Sequence, residues 1–133
     1  MNRFTDEIKD KNFTQGEKLE PEALIVAQKV LHNMKLGLIP QSYADFLKKF
    51  NGLKFDGAYL FGATIDDDLD IIDKNEQMSK PENTILLGYN DFDLLCYNTI
   101  TMQYQIIDRN DFSVLDTYTD NELDYALSRI FNF

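Results

Sequence analysis

Apolar residues recur at helical spacing in two stretches early in the chain and at strand spacing through most of the remainder. From Pro21 to about Leu36, Leu24, Ala27, Leu31 and Met34 fall on one face of a helix. Pro21 suits a first helical position, since its missing N–H would be an orphan there anyway, and Glu20 and Glu22 complement the positive helix end. Gly37 offers a left-handed stop. A second helix is predicted from Pro40 to Phe50, where Tyr43, Phe46, Leu47 and Phe50 form one stripe opposite Asp45, Lys48 and Lys49. Asn51-Gly52 ends it.

The period then changes. Leu53 to Phe55 and Ala58 to Phe61 flank Asp56-Gly57, a strong two-residue hairpin signal. Thr84 to Tyr89 and Phe92 to Tyr97 are apolar runs parted by Asn90-Asp91. Met102 to Ile107 and Phe112 to Leu115 come next, broken at Asp108-Arg109-Asn110-Asp111. Strands in sequence with short turns predict an antiparallel meander rather than crossover units. Thr119-Asp120-Asn121-Glu122 reads as a capping box, and Leu123, Leu127, Ile130 and Phe131 give the helix it opens its apolar face. The expected fold is α+β: an antiparallel β-meander sheet with N-terminal helices and a C-terminal helix packed on one face. Residues 1–133 are expected to form one domain, with 1–18 a loosely ordered lead-in.

Composition supports a self-sufficient core. The chain has 133 residues, 44% hydrophobic and 13% aromatic, too apolar for disorder despite a net charge of −10. A chain this long buries roughly two-thirds of its unfolded surface. The charge is lopsided: residues 1–55 hold nine Lys/Arg against seven Asp/Glu, whereas residues 56–133 hold four against sixteen. Such a balance disfavours nucleic acid and anionic membrane as partners. It is consistent with acidic loops that keep the domain in solution, and also with an acidic face that steers a basic partner. A single cysteine, a polar start and no apolar run of membrane-spanning length place the protein in the cytoplasm.

Residues that would carry catalysis are scarce. His32 lies inside a helix without a companion nucleophile, and Cys96 sits in an apolar strand as a small hydrophobe. One histidine and one cysteine cannot build a zinc site, and the glycines stand at turns rather than in a phosphate loop. The run Asp66-Asp67-Asp68-Leu69-Asp70 lacks the glycine and terminal glutamate of a calcium loop. No enzyme activity, cofactor or metal is expected. The acids Asp66, Asp67, Asp68, Asp70, Asp91 and Asp93 are the candidate steering charges, with Tyr89 and Tyr97 as candidate anchors.

The order of parts resembles the SUKH superfamily. The likeness rests on Leu38-Ile39-Pro40-Gln41-Ser42-Tyr43-Ala44-Asp45-Phe46-Leu47 running into Phe50-Asn51-Gly52, then a hairpin ending in Leu60-Phe61-Gly62, then Leu87-Gly88-Tyr89-Asn90 before a strand. With the meander and closing helix it covers the chain from about residue 20 onward. The resemblance implies a non-enzymatic protein-binding role. Bacterial members are immunity proteins that neutralise secreted toxins, often nucleases; fungal relatives regulate cell-wall glucan synthesis through protein contacts. The first role implies a basic toxin domain as partner, bound by a monomer or weak homodimer; the second implies a scaffold acting on the cell's own proteins. An enzyme or a small-ligand binder using a sheet-side pocket is the remaining reading.

Overall fold

The seven strands succeed one another across a single antiparallel sheet in chain order, β1 to β7, in a computed structural model that describes residues 2–64 and 68–133. They are β1 Thr14–Gln15, β2 Leu53–Phe55, β3 Ala58–Leu60, β4 Thr84–Tyr89, β5 Asp93–Asn98, β6 Gln103–Asp108 and β7 Val114–Tyr118. The helices are α1 Asn2–Lys9, α2 Pro21–Asn33, α3 Gln41–Lys49, α4 Ile71–Gln77 and α5 Leu123–Phe131. The predicted α+β meander is therefore what the chain forms. Asp56 and Gly57 both take positive φ, 51° and 80°, as the mirror-image hairpin turn requires. The Thr119–Glu122 box is present, the Thr119 N–H donating to Glu122 Oε1 at 2.9 Å, but it opens a 3-10 turn over Asp120–Glu122 before α5 begins.

Helices α1, α3 and α5 pack on one face of the sheet. Phe4 of α1 meets Phe46 of α3 and Phe131 of α5 at ring-centroid distances of 6.0 and 5.2 Å. Arg129 of α5 pairs with Asp116 of β7 at 3.3 Å, and the Ser42 hydroxyl of α3 bonds the Tyr104 hydroxyl of β6. The expected loose lead-in over 1–18 is corrected: Phe4 and Ile8 are fully buried on α1, and β1 pairs with β2 as a short edge strand. An apolar pair at i, i+4 seats a helix whose other positions are polar or charged.

Three further differences have local causes. Helix α2 stops at Asn33, three residues early, because Lys35 rather than Gly37 is the first left-handed residue after it (φ 64°). The Leu36 N–H then reaches the Leu31 carbonyl, and Leu36 folds back on the core in a Schellman closure. Strands β5, β6 and β7 begin one or two residues late because Asn90, Asn98 and Asp108 each turn the chain by accepting the next two free backbone N–H groups on Oδ1. Met102 and Phe112 close two of these loops in left-handed conformation, at φ 58° and 61°.

Helix α4 is an element the hydrophobic pattern does not predict. Asp70 caps it, accepting the Ile72 N–H at 2.9 Å. The helix stands beside β4 where β3 has ended, since β3 pairs only with Gly88 and Tyr89 of β4. There the buried Asn75 amide takes the place of a strand: its Oδ1 accepts the Leu86 N–H at 2.8 Å, and its Nδ2 donates to the Leu86 carbonyl at 2.9 Å and the Ile71 carbonyl at 2.8 Å. One residue on, the ladder bulges between Leu86 and Gly88. Gly88 is required there, since a Cβ would stand 2.3 Å from the Tyr59 carbonyl oxygen.

Asn75→Ala strands a buried donor and acceptor on Leu86. It should destabilise the fold by about 3 kcal/mol, read as a lower urea midpoint with an unchanged slope.

Candidate partner-binding surface

Because the strands are antiparallel and consecutive, the turns β2–β3, β4–β5 and β6–β7 share one end of the sheet, and the β5–β6 turn lies at the other. The turns of the shared end gather Asp56, Asp91, Asp93, Asp108 and Asp111 with the single base Arg109. The β5–β6 turn, Asn98 to Met102, carries no charge and exposes Ile100 and Met102. Helix α5 also ends beside the acidic turns, where the Asn90 amide donates to the Ile130 carbonyl at 2.9 Å, so its negative pole adds to the same potential.

Phe92 stands at this end with 78% of its surface exposed, between Asp91 and Asp93. Its backbone is held on both sides. Asn90 Oδ1 accepts the Phe92 N–H at 2.9 Å, and the Phe92 carbonyl accepts the Arg109 N–H at 3.1 Å. The ring is thus carried on a turn already fixed before any partner arrives. Asp93 and Asp108 sit directly opposite across β5 and β6, a like-charge pair that works against the sheet.

Beside the acids runs a cross-strand row of Lys54, Tyr59, Tyr89, Leu94, Ile107 and Val114. Tyr59 and Tyr89 stack at 4.8 Å with planes 5° apart, Lys54 Nζ lies 5.2 Å from the Tyr59 centroid, and the Arg109 guanidinium lies 5.0 Å from that of Tyr89. Arg109 also donates to the Asn90 carbonyl at 2.7 Å, so its charge is committed within the molecule. Burial pushes the Tyr89 hydroxyl up from its ordinary range, with Tyr59 adding to the shift.

The expected site residues divide accordingly. Asp91, Asp93 and Tyr89 come together at the acidic end. Asp68 is exposed and 3.8 Å from Lys54, and its charge is felt at Tyr89. Asp70 leaves the steering set: it is 6% exposed and spends its carboxylate on the α4 cap. Tyr97 leaves the anchor set: it is 6% exposed beneath the helices, edge-on to Tyr104 at 5.3 Å. Asp66 and Asp67 lie outside the described residues. Phe92, Asp108 and Asp111 join the site; the first reads in sequence as the opening residue of an apolar strand, and the others as turn formers.

His32 is exposed on α2. Cys96 is fully buried, and burial pushes its thiol up to about 12, which removes it as a nucleophile at neutral pH. Among the described residues no group of three or more His, Cys, Asp or Glu is placed to hold a metal ion, and no helix is long and apolar enough to cross a membrane. No family model and no curated protein matches the chain.

Asp108→Asn keeps the turn-forming oxygen and removes the clash with Asp93, so it should stabilise the protein by about 0.3 kcal/mol at low salt, a gain that disappears at high salt in paired thermal melts. The raised Cys96 thiol favours the fold below the unfolded thiol's pKa of roughly 8.5, and this contribution falls away as pH climbs toward about 12. Cys96→Ala should therefore lose less stability over that alkaline window, and native Cys96 should resist a thiol reagent at pH near 8 that labels it once unfolded.

Proposed function

We propose that the chain is a non-enzymatic binding domain that takes a basic protein partner on the acidic end of its sheet, with Phe92 as the anchor. The observation that carries this reading is Phe92 itself, 78% exposed on a turn pinned from both sides and flanked by carboxylates. An exposed aromatic flanked by carboxylates matches what protein interfaces use: a central ring for desolvated contact and a charged rim for steering. The half-buried Tyr59–Tyr89 stack and Asp68 extend the same surface.

Within that reading the chain acts as a SUKH-type immunity protein in the cytoplasm, blocking a toxin whose basic cleft holds phosphate. The residues behind the resemblance support it as a likeness of fold. Pro40 precedes α3 as its cap residue, and the buried Tyr43 hydroxyl donates to the Phe61 carbonyl. The Asn51 amide holds the Ala63 N–H at 2.8 Å and the Glu17 carbonyl at 2.9 Å, and Gly88 permits the bulge. The buried, protonated Cys96 and the solitary His32 add no nucleophile or base that would argue for an enzyme.

The test is calorimetric titration with the product of the adjacent open reading frame. Affinity should fall at least about tenfold from low to physiological salt, and Phe92→Ala should weaken binding by roughly tenfold or more while leaving stability within about 0.5 kcal/mol. Asp91→Asn with Asp93→Asn should slow association more than it speeds dissociation. Binding indifferent to salt and to Phe92 contradicts the proposal.

A further inference from the structure

A second surface lies toward the end of the sheet that holds the β5–β6 turn. The linker from α2 to α3 passes there, so that a Cβ on Gly37 would stand 2.9 Å from Thr99 Cγ2 in the β5–β6 turn. Between the two helices runs an open groove of about 650 Å³. Ile25 and Leu38, 54% and 55% exposed, line it together with Leu24 and Ala44.

From this groove we infer a docking site for an acidic amphipathic helix of another protein. Length, rigidity and charge point the same way. On α2 the groove is lined at Ile25, Lys29 and His32, and on α3 at Gln41, Ala44 and Lys48, so each wall offers about two helical turns, roughly 10 Å. That spacing suits two apolar anchors one turn apart on a third helix. The groove is preformed: the Gln28 side chain is doubly bonded to Ile39, whose N–H donates to Oε1 at 2.7 Å and whose carbonyl accepts from Nε2 at 3.2 Å.

The charge selects the sign of the occupant. Lys29 projects from one wall and Lys48 from the other, and among the described residues no Asp or Glu lines the groove. Lys48 does meet Asp45 at 3.2 Å, and Asp45 also accepts from Gln41 at 2.8 Å, but both side chains of the ion pair are about 60% exposed (63% and 58%), so solvent screens it. The acidic end of the sheet repels an acidic helix and leaves this groove as its favourable landing site. The groove is a different surface from that of Phe92, and its occupancy does not depend on whether Phe92 anchors a basic partner.

A labelled synthetic helical peptide of about four turns tests it, with Leu at i and i+4 on one face and Glu flanking them, read by fluorescence anisotropy. The acidic peptide should bind the full chain, and its counterpart with Lys in place of Glu should bind at least about tenfold more weakly. Leu38→Asp and the double variant Lys29→Glu/Lys48→Glu should each weaken binding at least about tenfold, and Phe92→Ala should leave it unchanged. Leu38, Lys29 and Lys48 are all exposed, and circular dichroism of each variant checks folding; Ile25→Ser with Leu38→Ser serves as an uncharged second variant. Equal binding of the two peptides, or indifference to Leu38→Asp in a folded protein, overturns the inference. Self-association in sedimentation that Leu38→Asp abolishes also overturns it, and assigns the groove to a second copy of the chain.

Discussion

Consecutive antiparallel pairing decides where the turn aspartates of this protein collect. A strand that runs up must be succeeded by one that runs down, so every second turn returns to the same end of the sheet. Here the returning turns are β2–β3, β4–β5 and β6–β7, and each carries aspartate. Aspartate and asparagine are good turn formers because their side chains accept the backbone N–H groups that a tight reversal leaves free. Where the turn former is aspartate, the residue that makes the turn also makes the potential. Asp108 does both: Oδ1 accepts two backbone N–H groups while the carboxylate faces Asp93 across the ladder.

Buried asparagines hold this arrangement to the helical layer. Asn51 joins the end of α3 to residues 17 and 63, Asn75 completes the β4 ladder where β3 stops, and Asn90 links the β4–β5 turn to the last turn of α5. Each is under 10% exposed, at 4%, 6% and 8%. A buried amide of this kind supplies both a donor and an acceptor, so it can satisfy two backbone groups that no strand reaches. Through Asn90, packing in the core fixes the angle at which Phe92 is presented. The acidic surface is thus held in place at the Phe92 turn and is built from short-range chemistry.

Much of the fold can be read from one sequence. The stripes of α2 and α3, the Asp56-Gly57 hairpin and the Thr119–Glu122 box each arise from local rules that tertiary contacts do not override. The elements that pattern alone misses have weak local signals. Helix α1 announces itself only through Phe4 and Ile8 among charges, and α4 hides at the end of an acidic run whose last member, Asp70, reads as surface charge but serves as a cap. Tyr97 escapes for a different reason. Strands β4 and β5 are apolar on both faces, so they show no alternation to say which side the helices cover. Phe92 is hidden because a side-chain turn at Asn90 moves it from strand to turn. Turn chemistry, more than hydrophobic pattern, decides which residues reach the candidate site.

The acidic end of the sheet can be probed most directly without knowledge of the natural partner. ¹⁵N-labelled protein titrated with a short oligoarginine reports, amide by amide, where a cationic chain prefers to lie. The largest shifts should cluster at residues 56–57, 90–93 and 108–113, including the Phe92 amide, and they should vanish in high salt. Shifts spread evenly over the acidic half of the chain, or centred on the β5–β6 turn and the α2–α3 groove, would mean that the turns do not concentrate the potential at Phe92.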